Sequence, residues 1–138
     1  MKIFFSSHGD PMLLDSLAGM NSIYERLKLF LASAEKVIEI ASSPGGKPDP
    51  YEELLCGIRV EKGEGPLNLS LTNNRWLHLI GSSGNLDRYI KYFKFREDEG
   101  GNHHHPEYIA VEGYIARGTM SLIIEMDTER IEEIEQIC

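Results

Sequence analysis

Residues 58–80 read IRVEKGEGPLNLSLTNNRWLHLI, and the period of this stretch decides the fold class. Ile58 and Val60 alternate with Arg59 and Glu61, and Leu67, Leu69 and Leu71 alternate with Asn68 and Ser70. Trp76-Leu77-His78-Leu79-Ile80 follows a further turn. Successive side chains of a strand point to opposite faces, so this alternation describes strands with one buried and one wet face. Lys62-Gly63-Glu64-Gly65-Pro66 and Thr72-Asn73-Asn74-Arg75 supply the turn chemistry between them. The three runs are expected to form an antiparallel meander.

Upstream, Ile3-Phe4-Phe5 and Val37-Ile38-Glu39-Ile40 read as further strands. Met12 to Leu17 reads as one short helical turn, whose continuation Gly19 weakens. Ser22-Ile23-Tyr24-Glu25 has the form of a capping box, and Ile23, Leu27, Phe30 and Ala34 follow at helical spacing. A helix is expected from Ser22 to Glu35. Residues 42–50, with three prolines and two glycines, oppose both helix and strand and form either a mobile arm or a simple connection. Downstream, Gly81-Ser82-Ser83-Gly84-Asn85 offers a cap for a helix from Leu86 to Lys94, whose inner face carries Leu86, Tyr89, Ile90 and Phe93. Residues 121–126 read as a buried final strand. Thr128 is placed to cap a short C-terminal helix with Ile131, Ile134 and Ile137 on one side. The expected fold class is α+β: an antiparallel sheet with two main helices packed on it and a short C-terminal helix, in a single domain over residues 1–138.

The chain of 138 residues carries a formal net charge of −8. An acidic surface repels phosphate backbones, which argues against a nucleic-acid partner and favours a basic protein; the plainer reading is solubility. The run at Ile3 is too short for a signal peptide or a bilayer span, so the expected compartment is the cytoplasm, with no membrane partner. Cys56 and Cys138 are too few for a disulfide framework, and Cys56, in an apolar run, reads as a small core residue.

His103-His104-His105-Pro106-Glu107-Tyr108 is the sharpest chemical feature. In an extended chain His103, His105 and Glu107 share a face, and Pro106 favours that form at His105. Three uses compete. Zinc accepts these nitrogen and oxygen donors, with His8 or Asp10 as the remote candidates for a fourth ligand. A His pair with a carboxylate also pins a loop to a sheet. An exposed His/Tyr loop also binds another protein, with Tyr108 as an amphipathic anchor. The remaining candidates are weaker. His78 reads as a polar-face residue. Ser6-Ser7-His8 with Asp10 has the residue types of a triad in adjacent positions that rarely face one another. Gly45-Gly46-Lys47 lacks the full phosphate-loop pattern. Glu129 to Glu135 reads as a solvated helix face or as a surface for a basic partner.

Leu79-Ile80-Gly81-Ser82, Asn85-Leu86, Tyr92-Phe93 and Phe95, then the histidine segment, Tyr114-Ile115-Ala116 and Ser121 to Glu125, together resemble the immunity protein 32 family. The resemblance covers Trp76 to Glu125 well and the first half loosely. It implies an α+β protein without catalytic activity or cofactor that neutralises a cognate bacterial toxin by direct binding. The contact set expected here is His103, His105, Glu107 and Tyr108. The rival expectation is a metal-binding protein or metal-dependent hydrolase built on His103 and His105.

Overall fold

Alternating apolar residues pair into sheets, and in the computed structural model they form two. The structure describes residues 1–109 and 111–136. In chain order the elements are β1 (Lys2–Phe5), β2 (Met12–Asp15), α1 (Leu17–Ala32), β3 (Val37–Ala41), β4 (Glu53–Leu54) and β5 (Gly57–Lys62). They continue with β6 (Asn68–Leu71), β7 (Trp76–Gly81), α2 (Ser83–Ile90), β8 (His103–His104), β9 (Ile123–Met126) and α3 (Thr128–Gln136). One sheet has the order β4-β1-β2-β9-β8 and the other β3-β5-β7-β6. The class is α+β, as the sequence implies. The pairing is mixed: β2 with β9 and β5 with β7 run parallel.

The expected meander is therefore corrected. β6 pairs with β7 alone, and β7 lies between β5 and β6. The Gly63–Pro66 turn steps across the end of β7, where Gly63 N–H donates to the Gly81 carbonyl and Ser82 N–H to the Gly65 carbonyl. The crossing chain leaves no room for a side chain at Gly81, since a Cβ there would lie 2.5 Å from Leu67 Cδ2 and 3.0 Å from Leu67 Cα. Alternation fixes which face a residue occupies; it leaves the neighbour in the sheet open.

Met12 to Leu17 is also corrected. Met12–Asp15 is a strand inside the first sheet, with Leu13 and Leu14 completely buried. The helix that follows begins earlier than the capping box at Ser22 suggests. Ser16 is the cap, its hydroxyl accepting from Gly19 N–H at 3.0 Å. Gly19 does not interrupt α1; it makes space, since a Cβ would fall 2.1 Å from the Asp15 carboxyl carbon. Asp15 in turn lies 3.4 Å from the Met1 ammonium. α1 buries Met20, Ile23, Leu27 and Phe30 at helical spacing and stops at Ser33, whose hydroxyl donates to the Phe30 carbonyl. α2 ends at Ile90 and tightens into a 3₁₀ turn over Lys91–Phe93.

The core follows from strand alternation. Ile3, Leu13 and Ile124 of the first sheet join Ile58, Val60, Leu77 and Leu79 of the second, with α1 and α2, in one continuous apolar cluster. Phe4, Met12 and Leu14 point to the other face of the first sheet and pack on Ile131 of α3. Asp127, rather than Thr128, caps α3 through Arg130 N–H, while the Thr128 hydroxyl accepts from Leu17 N–H. Ile137 of the expected stripe, and Cys138, lie outside the described residues. Cys56 is exposed, not a core residue. It follows buried Leu55 in extended chain and so faces the opposite way.

The proline-rich segment is a connection that is tied down. Lys2 is 1% exposed, and its ammonium donates to the carbonyls of Ser43, Pro44 and Gly45, each at 2.8 Å. Gly45 and Gly46 take positive φ, 80° and 90°, at the end of that cradle. This loop therefore presents carbonyls to a cation, the reverse of a phosphate-binding loop.

Candidate functional site

The histidine stretch lies at the edge of the first sheet, where β8 pairs His103 with Glu125 and His104 with Ile124. Alternation holds for these residues. His103 is exposed, and His104 turns inward. The His104 ring stacks on Phe95 at 4.1 Å and 3°, with Tyr92 at its edge. Its Nδ1 lies 2.8 Å from the Tyr92 carbonyl, which can only accept, so Nδ1 carries the proton. Glu99 lies 4.0 Å from Nε2. His104 thus pins the strand to the segment after α2, a structural role that falls to the histidine between the two expected contact residues and not to the His pair with a carboxylate considered above.

The extended form expected through Glu107 is corrected. Strand pairing ends at His104, and Tyr108 N–H closes a turn onto the His105 carbonyl. Pro106 has no N–H to continue the ladder, and its carbonyl accepts from the buried Tyr114 hydroxyl at 2.8 Å. His105 still meets His103, edge to face at 5.0 Å. It also stacks on Tyr108 at 4.6 Å and 11°. Tyr108 is 69% exposed, one of two large apolar side chains left so open among the described residues. The outcome is an aromatic patch in which His103 and Tyr108 are exposed and His105 lies half-buried between them, its Nδ1 enclosed without a hydrogen-bond partner among the described residues.

Glu107 leaves that patch. Both its carboxylate oxygens are enclosed and lack a hydrogen-bond partner among the described residues. Its charge is felt by two buried phenols. Burial pushes the Tyr89 hydroxyl well above its ordinary value of 10.0, and Glu107 pushes it further. Tyr114 is raised as well, by burial first and then by Tyr92 and Glu107, with Arg88 opposing. A phenol that keeps its proton in the folded chain after the unfolded chain has lost it makes stability fall as pH rises above about 10. Tyr89 and Tyr114 are accordingly expected to ionise only as the chain unfolds, and the Tyr89→Phe/Tyr114→Phe variant to lose that part of the phenolate absorbance. Complete titration of all six tyrosines before unfolding would contradict this.

His8 and Asp10 lie exposed in the turn between β1 and β2. Among the described residues no three or more His, Cys, Asp or Glu side chains converge as a metal-binding group. Ser6 and Ser7 do not face His8 but hold Glu52, through its N–H at 3.1 Å and its carboxylate at 2.9 Å. Ser82 caps α2 through Asn85 N–H, so Gly81 to Gly84 acts as a strand-to-helix turn.

Two features escaped the reading of the sequence. One is a cross-strand row on the outer face of the second sheet, where Glu39, Arg59, His78 and Ser70 stand in register. His78 Nε2 lies 3.2 Å from Glu61, which Arg59 also approaches at 3.7 Å. Placing His78 on a polar face is right, but its carboxylate neighbour depends on the parallel β5–β7 pairing. The other is a cleft of about 470 Å³ beside the start of α3, rimmed by Glu97, Asp127 and Glu129. It adjoins the histidine strand through the Gly101 N–H bond to the Met126 carbonyl.

Comparison of the chain with protein-family models, curated proteins and solved structures gives no match. No helix among the described residues is long and apolar enough to cross a membrane.

Proposed function

We propose that this chain is a cytoplasmic antidote that neutralises a cognate bacterial toxin by direct protein–protein contact, without cofactor or turnover. The observation that carries the binding part is Tyr108, 69% exposed and stacked on the half-buried His105 ring. A rigid aromatic with a polar tip loses little side-chain entropy on docking, which is why such residues concentrate binding energy. The resemblance at residues 76–125 supplies the toxin as partner. The net charge of −8 favours a basic one.

The test is to look for a C-terminal toxin domain encoded beside this chain's gene and to co-express the two, with growth as the readout; a neighbourhood without a toxin gene counts against the proposal. The wild type is expected to restore growth. The His103→Ala/His105→Ala/Tyr108→Ala variant is expected to lose protection and at least about 2 kcal/mol of affinity, with its unfolding temperature unchanged. Glu107 is left in place because its carboxylate is enclosed. Protection that survives the triple change would move the contact surface elsewhere. Stoichiometric zinc in tag-free protein, lost on changing His103 and His105, would replace this reading with the metal-binding one.

A further inference from the structure

The two sheets expose four edges, and three are short or covered. β4 and β8 have two residues each. The edge of β6 is covered by the following chain: Leu69 N–H donates to Thr119 Oγ1, and the Leu69 carbonyl accepts from Met120 N–H. β3 is different. Lys62 N–H donates to the Lys36 carbonyl and Ser42 N–H to the Cys56 carbonyl, so even-numbered residues of β3 bond inward to β5. Val37, Glu39 and Ala41 therefore turn their backbone N–H and C=O groups outward. Among the described residues none of these groups has a partner on that side. Proteins normally blunt such an edge, because it is a template for another strand.

Beside the edge lies a groove of about 310 Å³, lined by Arg26, Leu29, Phe30, Ser33, Glu35 and Ile38. Positions 26, 29 and 30 of α1 form one stripe, which its cap Ser33 continues. Leu29 is 70% exposed, the other open large apolar side chain. A strand laid against β3 would direct alternate side chains onto Leu29, Phe30 and Ile38, extending the apolar layer, and the others to the outer face beside Glu39. Glu39 is half exposed and only 3.8 Å from Arg59, leaving carboxylate lone pairs free for a second cation.

We propose that the β3 edge and the α1 groove form a docking site for an extended segment of a partner protein that alternates apolar with Lys or Arg residues and adds a fifth strand to this sheet. Charge selects the occupant. Antiparallel pairing with a second copy, centred on β3, would set Glu39 against Glu39 and join two chains of net charge −8. A basic segment meets neither penalty. The site lies on the edge of the other sheet from the histidine patch and does not depend on the partner being a toxin.

A phage-displayed library of random heptapeptides is selected on the immobilised protein, and the consensus peptide is synthesised. Enriched sequences are expected to alternate apolar and basic residues. The peptide is expected to protect the amides of Val37, Glu39 and Ala41 from hydrogen exchange. Leu29→Asp, at an exposed position, is expected to weaken binding at least tenfold, and Glu39→Lys to shift selection towards acidic residues. Failure to enrich any peptide, or protection confined to other strands, overturns the proposal. So does a dimer of the free protein whose amides are protected at β3, since the occupant would then be a second copy.

Discussion

Replacing Lys2 by methionine is expected to lower the unfolding free energy by about 2–4 kcal/mol. The ammonium has three donors, and all three are used, on the consecutive carbonyls of Ser43, Pro44 and Gly45. Hydrogen bonds to a charged group contribute roughly 1.5–3 kcal/mol each, but taking an ammonium out of water costs several kcal/mol in return. The net gain is a fraction of the sum. Methionine fills similar volume without the donors, so the carbonyls must find water or the loop must open. Lys2→Arg should not rescue the loss. A planar guanidinium presents its N–H groups as a fork and cannot converge on three carbonyls around one nitrogen. Urea denaturation measures the change, and hydrogen exchange across residues 43–46 locates it. A loss below about 1 kcal/mol for methionine, or full rescue by arginine, would show that the cradle contributes little.

Lys2 also shows where reading a sequence stops. A lysine between Met1 and Ile3 looks like a solvated strand residue. What buries it is a set of carbonyls more than forty positions away, and carbonyls carry no residue signature. Local pattern reveals the strands at Ile58, Leu69 and Leu77, because a sheet with one wet face imposes period two on its own residues; β1, buried on both faces, and β3 are legible only from their β-branched and aromatic residues. It did not reveal that β7 separates β5 from β6, because either neighbour satisfies the same alternation. Met12-Leu13-Leu14 is too short for its period to distinguish strand from helix; its partners β1 and β9 decide it. The cap lies six residues earlier than expected because Ser22-x-x-Glu25 matches a cap in sequence while Ser16 has the free N–H within reach. At the candidate site, alternation placed His103 opposite His104 correctly. It failed at Glu107 because Pro106 ends the ladder and the Tyr114 hydroxyl bonds the Pro106 carbonyl, beside which the chain turns.

The substitution with the largest expected cost is Gly57→Ala. It adds a single Cβ, and what that atom meets dominates its effect. A Cβ at position 57 would sit 2.4 Å from the Ile40 carbonyl oxygen, 2.5 Å from Trp76 Cζ3 and 2.9 Å from Ala41 Cα. Two of these three are backbone atoms of β3, and the third belongs to the residue paired with Gly57 on β7. A flexible side chain could swing away; a strand hydrogen-bonded along its length cannot. Overpacking of a core commonly costs about 1–3 kcal/mol, and a clash with strand backbone belongs at or above the top of that range. We expect a loss of more than about 3 kcal/mol, a large share of the roughly 5–15 kcal/mol that holds a domain of this kind. The alternative outcome is that β3 separates from β5 at its Ala41 end while the rest of the sheet survives. Hydrogen exchange distinguishes the two, since local separation exposes the Ser42 amide, which bonds the Cys56 carbonyl, and spares β7. Gly84→Ala is the control. Nothing lies within 4 Å of a Cβ there, and α2 gains a better helix former, so stability should hold or rise by up to about 1 kcal/mol. If Gly57→Ala behaved like Gly84→Ala, β3 would not lie against β5 as described, and the open edge that β3 offers a partner would have to be redrawn.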